Sequence, residues 1–245
     1  MSRVRRCLTS GTPKPVGADA LGLIRDERDK AKHRGGEHIM SDVSIIGSGN
    51  MASAIDALAL KGGNAVEIVG RDAAKAAALA RALGDGATAG TWGAAPGGDI
   101  VILAVLFDSA VPVVSQYGDA LDGKIIVDIT NPFNPSATGL AIPDDTSIAQ
   151  MVAKAAPASA RVVKAFNTIF RDVLAAGGPL DVFMAGDDAQ AKASVSAFIK
   201  SLGLRPRDAG DLTMAHWLEG VGLLSVGLGR YGVGSFNFSL GVNFG

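Results

Sequence analysis

From residue 43 onward the chain alternates between short unbroken apolar runs and longer stretches whose apolar positions recur at helical spacing. Residues 43–46 predict a first strand, and 51–60 predict a helix with one apolar, sheet-facing side that ends at Gly62-Gly63. A strand at 65–69, an Ala-rich helix at 72–83 and a weak strand at 87–89 follow. The β-branched and aliphatic run 99–105 predicts a central parallel strand covered on both faces. Next come a helix over 109–117, a strand over 124–128 and the loop Thr130-Asn131-Pro132-Phe133-Asn134-Pro135. The pattern continues with a helix at 147–154, a strand at 161–164, a short helix near 169–174, a strand at 181–185 and an amphipathic helix at 188–201. Residues 204–207 predict an edge strand, because Pro206 cannot donate to a central ladder. A long helix over 211–228 leads into a tail, 229–245, rich in Gly, aromatics and Asn. That tail either wraps a partner subunit, lines a pocket or is a loosely packed end.

This alternation is the order of a doubly wound α/β fold, a mostly parallel Rossmann-type sheet with a small C-terminal helical segment. The expected division is an N-terminal extension (1–40), a nucleotide-binding domain (41–210) and a C-terminal helix and tail (211–245) that contact substrate or a second copy. Residues 1–37 carry nine basic against five acidic side chains and no sustained apolar face. Either they form a disordered extension, or translation starts at Met40 rather than Met1. Arg3, Arg5 and Arg6 are not followed by the apolar segment of a secretory signal.

Composition narrows the function classes. At 48% hydrophobic and 19% charged, the 245 residues describe a globular, Ala/Gly-rich protein expected in the cytoplasm, with enough chain for a large core. The single cysteine, Cys7, excludes an internal disulfide framework and a Cys-based metal cluster. His33, His38 and His216 show no ligand spacing, so no metal site is expected. A net charge of −1, with no basic field in the apolar part, argues against nucleic acid as a partner. The uncharged run 100–107 is far too short to enter a bilayer as a span.

The chemistry centres on Ile46-Gly47-Ser48-Gly49-Asn50-Met51-Ala52, where a strand enters a glycine turn and then a helix. Gly47 permits the tight turn, and Gly49 removes the side chain that would keep a pyrophosphate from the first helical N–H groups. Those groups and the helix dipole hold the anion. Ala52 takes the place of the third glycine, a position that serves helix–strand packing. At the end of the second strand, an acidic residue would select NAD. Here Gly70 leaves room and Arg71 presents a guanidinium fork suited to a 2′-phosphate, which favours NADP. Asp72 is expected to cap the next helix.

In an open parallel sheet, ligands lie beyond the carboxyl ends of the strands. Val105-Leu106-Phe107 ends one strand, where Phe107 is either a cofactor neighbour or a surface-flanking hydrophobe. Thr130-Asn131 follows the next strand, and either binds the nicotinamide amide or ribose or forms a loop stabilised by Asn turns. Lys164-Ala165-Phe166-Asn167 ends a third; Lys164 reads as a structural charge and Asn167 is placed to face the cavity. His216 and Glu219 lie three apart on the last helix, and read either as a catalytic pair or as surface polarity. No catalytic acid or base is otherwise identified. Hydride exchange between a nicotinamide and a flavin-like ring needs mainly that the rings be held in register.

Residues 42–207 resemble the NADPH-dependent coenzyme F420 reductase family, whose nucleotide domain has relatives in the STEAP metalloreductases. The resemblance rests on Ile46-Gly47-Ser48-Gly49-Asn50-Met51, Gly70-Arg71-Asp72, Val101-Ile102-Leu103-Ala104-Val105, Asp128-Ile129-Thr130-Asn131-Pro132, Val163-Lys164-Ala165-Phe166-Asn167-Thr168 and Asp181-Val182-Phe183-Met184-Ala185-Gly186-Asp187-Asp188. It implies NADP as cofactor, coenzyme F420 or a similar flavin-like ring as co-substrate, and a homodimer. Ser48, Asn50 and Met51 would lie along the pyrophosphate and nicotinamide, Arg71 on the 2′-phosphate, Val105 and Leu106 beside the cofactor, and Asn131 and Asn167 near the hydride-transfer face. The chain departs from the family at Ala52, at Gly70 where a phosphate-binding Ser is frequent, and at Leu106 where Pro is common. A flavin or quinone reductase and a non-catalytic NADP-binding sensor are the alternatives.

Overall fold

The computed structural model describes residues 42–243. The N-terminal extension, and with it the choice between Met1 and Met40, lies outside the described residues. Eight strands form one sheet in the order β3-β2-β1-β4-β5-β6-β7-β8. They are β1 (Asp42–Ile46), β2 (Ala65–Val69), β3 (Ala87–Ala89), β4 (Ile100–Leu103), β5 (Ile125–Asp128), β6 (Arg161–Ala165), β7 (Asp181–Gly186) and β8 (Arg205–Asp208). The first six run parallel, as the alternation of strands and helices predicts. The change of direction between β1 and β4 makes a topological switch point at the carboxyl ends of those two strands, where a ligand crevice opens.

The last two strands differ. β7 runs antiparallel to β6, with Ala165 opposite Met184, and β8 runs parallel to β7. The amino ends of β7 and β8 therefore lie at the same edge of the sheet as the carboxyl ends of the other strands. β8 pairs on one side only, and Pro206 sits in it as expected for an edge strand.

Among the described residues, seven α-helices cover the two faces: α1 (Asn50–Lys61), α2 (Ala73–Leu83), α3 (Phe107–Tyr117), α4 (Ile148–Ala155), α5 (Arg171–Ala176), α6 (Ala189–Ser201) and α7 (Met214–Gly227). One core packs α1, α2, α5 and α6 against one face, with Ile45, Ile55, Ile68, Phe166 and Phe198 fully buried. The other packs α3, α4 and α7 against Leu103, Ile126 and Val101. Ala52 is completely buried in the first core, the close helix–sheet contact assigned to it from sequence.

Several boundaries shift for local physical reasons. β4 stops at Leu103, two residues early, and Ala104 and Val105 leave the sheet to form the crevice rim. α3 starts at Phe107 instead of 109, with Leu106 as its N-cap. α5 begins two residues late because Phe166 takes a left-handed conformation (φ 61°) and starts a turn that Ile169 closes onto the Phe166 carbonyl. α7 begins at Met214 because Asp211 accepts from the Thr213 backbone and hydroxyl, holding a turn where the helix was expected to start. It then loosens into a π-turn over Leu228–Gly232. The tail is partly docked: Phe236 and Phe238 meet the Phe170 ring edge to face, and the Val242 N–H donates to buried Asp181.

Candidate functional site

The crevice at the β1–β4 switch point is a cavity of about 650 Å³. Its end at the β1–α1 turn is built from backbone. Gly47 adopts φ 138°, and a Cβ there would lie 2.2 Å from the Ala104 carbonyl oxygen, so only glycine makes this turn. Gly49 is ordinary in conformation, but a Cβ on it would meet nothing within 4 Å: it faces open cavity. No side chain caps α1, and no acid occupies its first turn. The first-turn N–H groups thus point, with the positive helix end, into a space with room for an anion.

At the end of β2, Gly70 and Arg71 line the cavity, and Arg71 is exposed. Asp72 lines it as well while capping α2, accepting from the Lys75 N–H at 3.0 Å. Lys75, one turn into α2, joins Arg71 in the lining. Sequence reasoning missed it, although four-residue spacing from Arg71 at a helix start was an available signal. Trp92, also missed, closes the same end from the loop after β3 and meets Tyr117 edge to face at 5.6 Å. Two cations, an aromatic face and an uncapped helix end fit a dinucleotide with a phosphorylated adenosine ribose.

The opposite end is built from side chains. Val105, Leu106 and Phe107 line it from the α3 start, with Leu106 75% exposed. Ile129, Thr130 and Asn131 form the wall beyond β5. Eleven of the twelve residues proposed from sequence (Gly47, Ser48, Gly49, Asn50, Met51, Gly70, Arg71, Val105, Leu106, Phe107 and Asn131) line this one cavity.

Asn167, the twelfth, stands behind the wall, 6% exposed. Its amide donates to Asn131 Oδ1 at 2.9 Å and to the Leu218 carbonyl at 2.8 Å, while Asn131 Nδ2 returns a bond to the Asn167 carbonyl at 2.7 Å. Asn131 lies so close to α7 that a Cβ on Gly222 would sit 2.8 Å from its Oδ1. The left-handed turn at Phe166 presents Asn167 to this pairing. The two amides form a braced wall, with Asn131 as the member that reaches the cavity.

Below the wall lies a buried ionic cluster. Lys164, fully buried, donates to Asp128 Oδ2 and Glu219 Oε1, both at 2.8 Å, and to the Thr130 carbonyl at 2.5 Å. Glu219 is also completely buried, so the reading of it as helix-surface polarity is overturned. Neither is it paired with His216, whose Nδ1 lies 2.8 Å from the Thr146 carbonyl. Burial raises the Glu219 pKa and Asp128 adds to this, while Lys164 opposes both. Glu219 Oε2 and Thr130 Oγ1 are buried without partners.

A second groove, about 720 Å³, runs between α1, α5 and the α6–β8 turn and shares Asn50 with the first. Its lining is dominated by Ala and Gly, and its cations, Lys61 and Arg171, come from separate helices. It lacks the strand-end placement of the first cavity.

The family model described as NADP oxidoreductase, coenzyme F420-dependent, matches residues 42–132. Over 184 residues the chain is 31% identical to metalloreductase STEAP3 of Rattus norvegicus, covering 74% of this chain and 36% of that protein. Over 143 residues it is 32% identical to the F420-dependent NADP reductase of Methanocaldococcus jannaschii, covering 55% of this chain and 64% of that one. The chain thus spans less than two thirds of either curated relative. A solved structure of a candidate F420-dependent NADP-reductase from Arthrobacter sp. FB24 superposes with a TM-score of 0.70 at 30% identity, covering 83% of this chain and all of that one.

Proposed function

Because the chain belongs to the coenzyme F420-dependent NADP oxidoreductase family, we propose that it passes hydride between NADP(H) and coenzyme F420 or a similar flavin-like acceptor. The observation that carries this reading is the single cavity running from Arg71 and Lys75, past the uncapped start of α1, to Asn131. In it, the α1 N–H groups hold the pyrophosphate, Arg71 and Lys75 hold the 2′-phosphate, and the Thr130–Asn131 wall positions the nicotinamide. Bound there, NADP(H) would supply the hydride chemistry, with the flavin-like ring as the other partner and the balancing proton exchanged with water. The chain's own contribution is binding, register and exclusion of solvent, which accords with a wall of amides rather than an acid/base pair.

Residues 41–210 would hold the cofactor, and 211–245 would contact substrate or a second copy. α7 is apolar on nearly every side and leaves Trp217 and Leu224 exposed, which supports pairing of two copies through it. The cytoplasmic placement expected from composition belongs to the same proposal.

Absorbance during mixing with NADPH and, in turn, coenzyme F420, FMN, FAD and quinones tests the reading. Rapid loss of the NADPH band with the deazaflavin supports it. Turnover confined to FMN, FAD or a quinone moves the assignment to a flavin or quinone reductase, and tight NADPH binding without turnover moves it to a sensor.

A further inference from the structure

The nicotinamide end of the cavity is tied to α7 through one buried ammonium. Lys164 spends its three N–H donors on Asp128, Glu219 and the Thr130 carbonyl. Asp128 returns to the same loop, accepting the Thr130 N–H at 3.0 Å, so both backbone polar groups of Thr130 are held by the pair. Glu219 lies on α7 and also accepts the Ile148 N–H from the first residue of α4 at 3.0 Å. A second tether joins the same loop to the same helix: Asn131 is clasped by Asn167, which donates to the Leu218 carbonyl on α7. None of these groups belongs to α1 or to the end of β2, where the phosphates would sit.

A buried cation between two carboxylates is a poor way to gain stability, since well-packed apolar residues of similar volume often do as well. Its advantage is directional, because an ammonium with three acceptors specifies where each of them must be. We propose that Lys164 is a positioning residue for hydride transfer. It sets the depth of the Thr130–Asn131 wall against the nicotinamide and, through Glu219, fixes α7 in register with that wall. The proposal rests on the reading of the cavity as an NADP site.

Bound NADPH reports the two ends separately. Its dissociation constant is governed mainly by the phosphate contacts, while the emission maximum and lifetime of its nicotinamide report that ring's surroundings. In Lys164→Met, or in Glu219→Gln should the first variant fail to fold, the NADPH dissociation constant stays within about threefold of wild type while the nicotinamide emission moves toward that of free NADPH. Hydride transfer to coenzyme F420 or FMN at saturating NADPH falls about tenfold or more, with KM for NADPH unchanged. Wild-type emission and transfer in a folded variant overturn the positioning role. So does a loss of affinity that matches the loss of rate, which marks a merely structural one. A wild-type protein that binds no NADPH overturns the proposed function instead. If it binds but transfers to no acceptor, the emission measurement alone decides the role of Lys164.

Discussion

The two ends of the cavity are made differently. The end proposed for the phosphates is local and backbone-built: Gly47, Gly49 and the start of α1 are close in sequence, and Arg71 follows one strand later. The end proposed for the nicotinamide is backed by Asp128, Lys164, Asn167 and Glu219, brought together by β5, β6, the turn after β6 and α7. A site made of unpaired N–H groups and exposed cations contributes little to folding and is free to serve a ligand. A site made of fully buried charges is part of the core, so its geometry and the stability of the fold are linked.

That contrast can be broken by experiment. The largest effect is expected from Lys164→Met, which leaves Asp128 and Glu219 buried without their cation. Denaturant melts should show a loss of about 3–5 kcal/mol. A loss below 1 kcal/mol would mean that the two ends are energetically alike.

Asp56 sharpens the comparison, because it lies on the cradle's own helix. It is completely buried, neither carboxylate oxygen has a partner, and burial raises its pKa to about 7. An unfolded Asp ionises near 4. Between the two values the folded state keeps a proton that the unfolded state releases, so this contribution to stability is full below about pH 4, falls as pH rises, and is lost above about pH 7. Asp56→Ala should therefore stabilise the protein by about 2–4 kcal/mol at pH 8, and the gain should vanish near pH 4. Thermal melts across that range check the sign; a gain independent of pH would refute the ionisation argument.

Arg71→Ala should leave the melting curve unchanged and weaken NADPH binding by about 1.5–3 kcal/mol, with NADH affected far less. Equal weakening of both would remove the 2′-phosphate assignment. The smallest change in stability, within about 0.5 kcal/mol, is expected for Gly49→Ala, since its added methyl enters open space. The same methyl should weaken NADPH binding measurably by titration. If Gly49→Ala destabilises the fold as Lys164→Met does, the distinction between the two ends fails.

Legibility in the sequence followed the same division. The glycine turn, Arg71 and the Asp72 cap follow from adjacent residues whose spacing has one physical meaning. The parallel strands followed from the alternation of strands with helices. The reversed direction of β7 did not, because a strand's side-chain pattern is the same whichever way it runs. Lys164 was read as a structural charge, and its partners Asp128 and Glu219 lie 36 and 55 residues away. A signal was present: Lys164 interrupts the apolar run Val162-Val163 and Ala165-Phe166, and Glu219 interrupts an equally apolar helix. Two opposite charges, each set among apolar neighbours, are candidates for each other, though sequence separation hides the pairing. Asn167 shows the limit most plainly. Its placement beyond β6 was expected, but only the left-handed turn at Phe166 explains why it braces Asn131 from behind instead of facing the cavity.

The single-sided strand β8 has a consequence for how copies of the protein can meet. Arg205 donates its N–H inward to the Leu180 carbonyl, so the alternation of the strand turns the nitrogen of Pro206, which has no hydrogen, toward the outside. Arginines flank it on both sides, and at the far border β3 offers only three residues. A neighbouring chain laid along either border would find a ladder that is interrupted or too short to extend. The sheet is closed to growth, and that leaves the helical faces as the surfaces on which recognition can evolve.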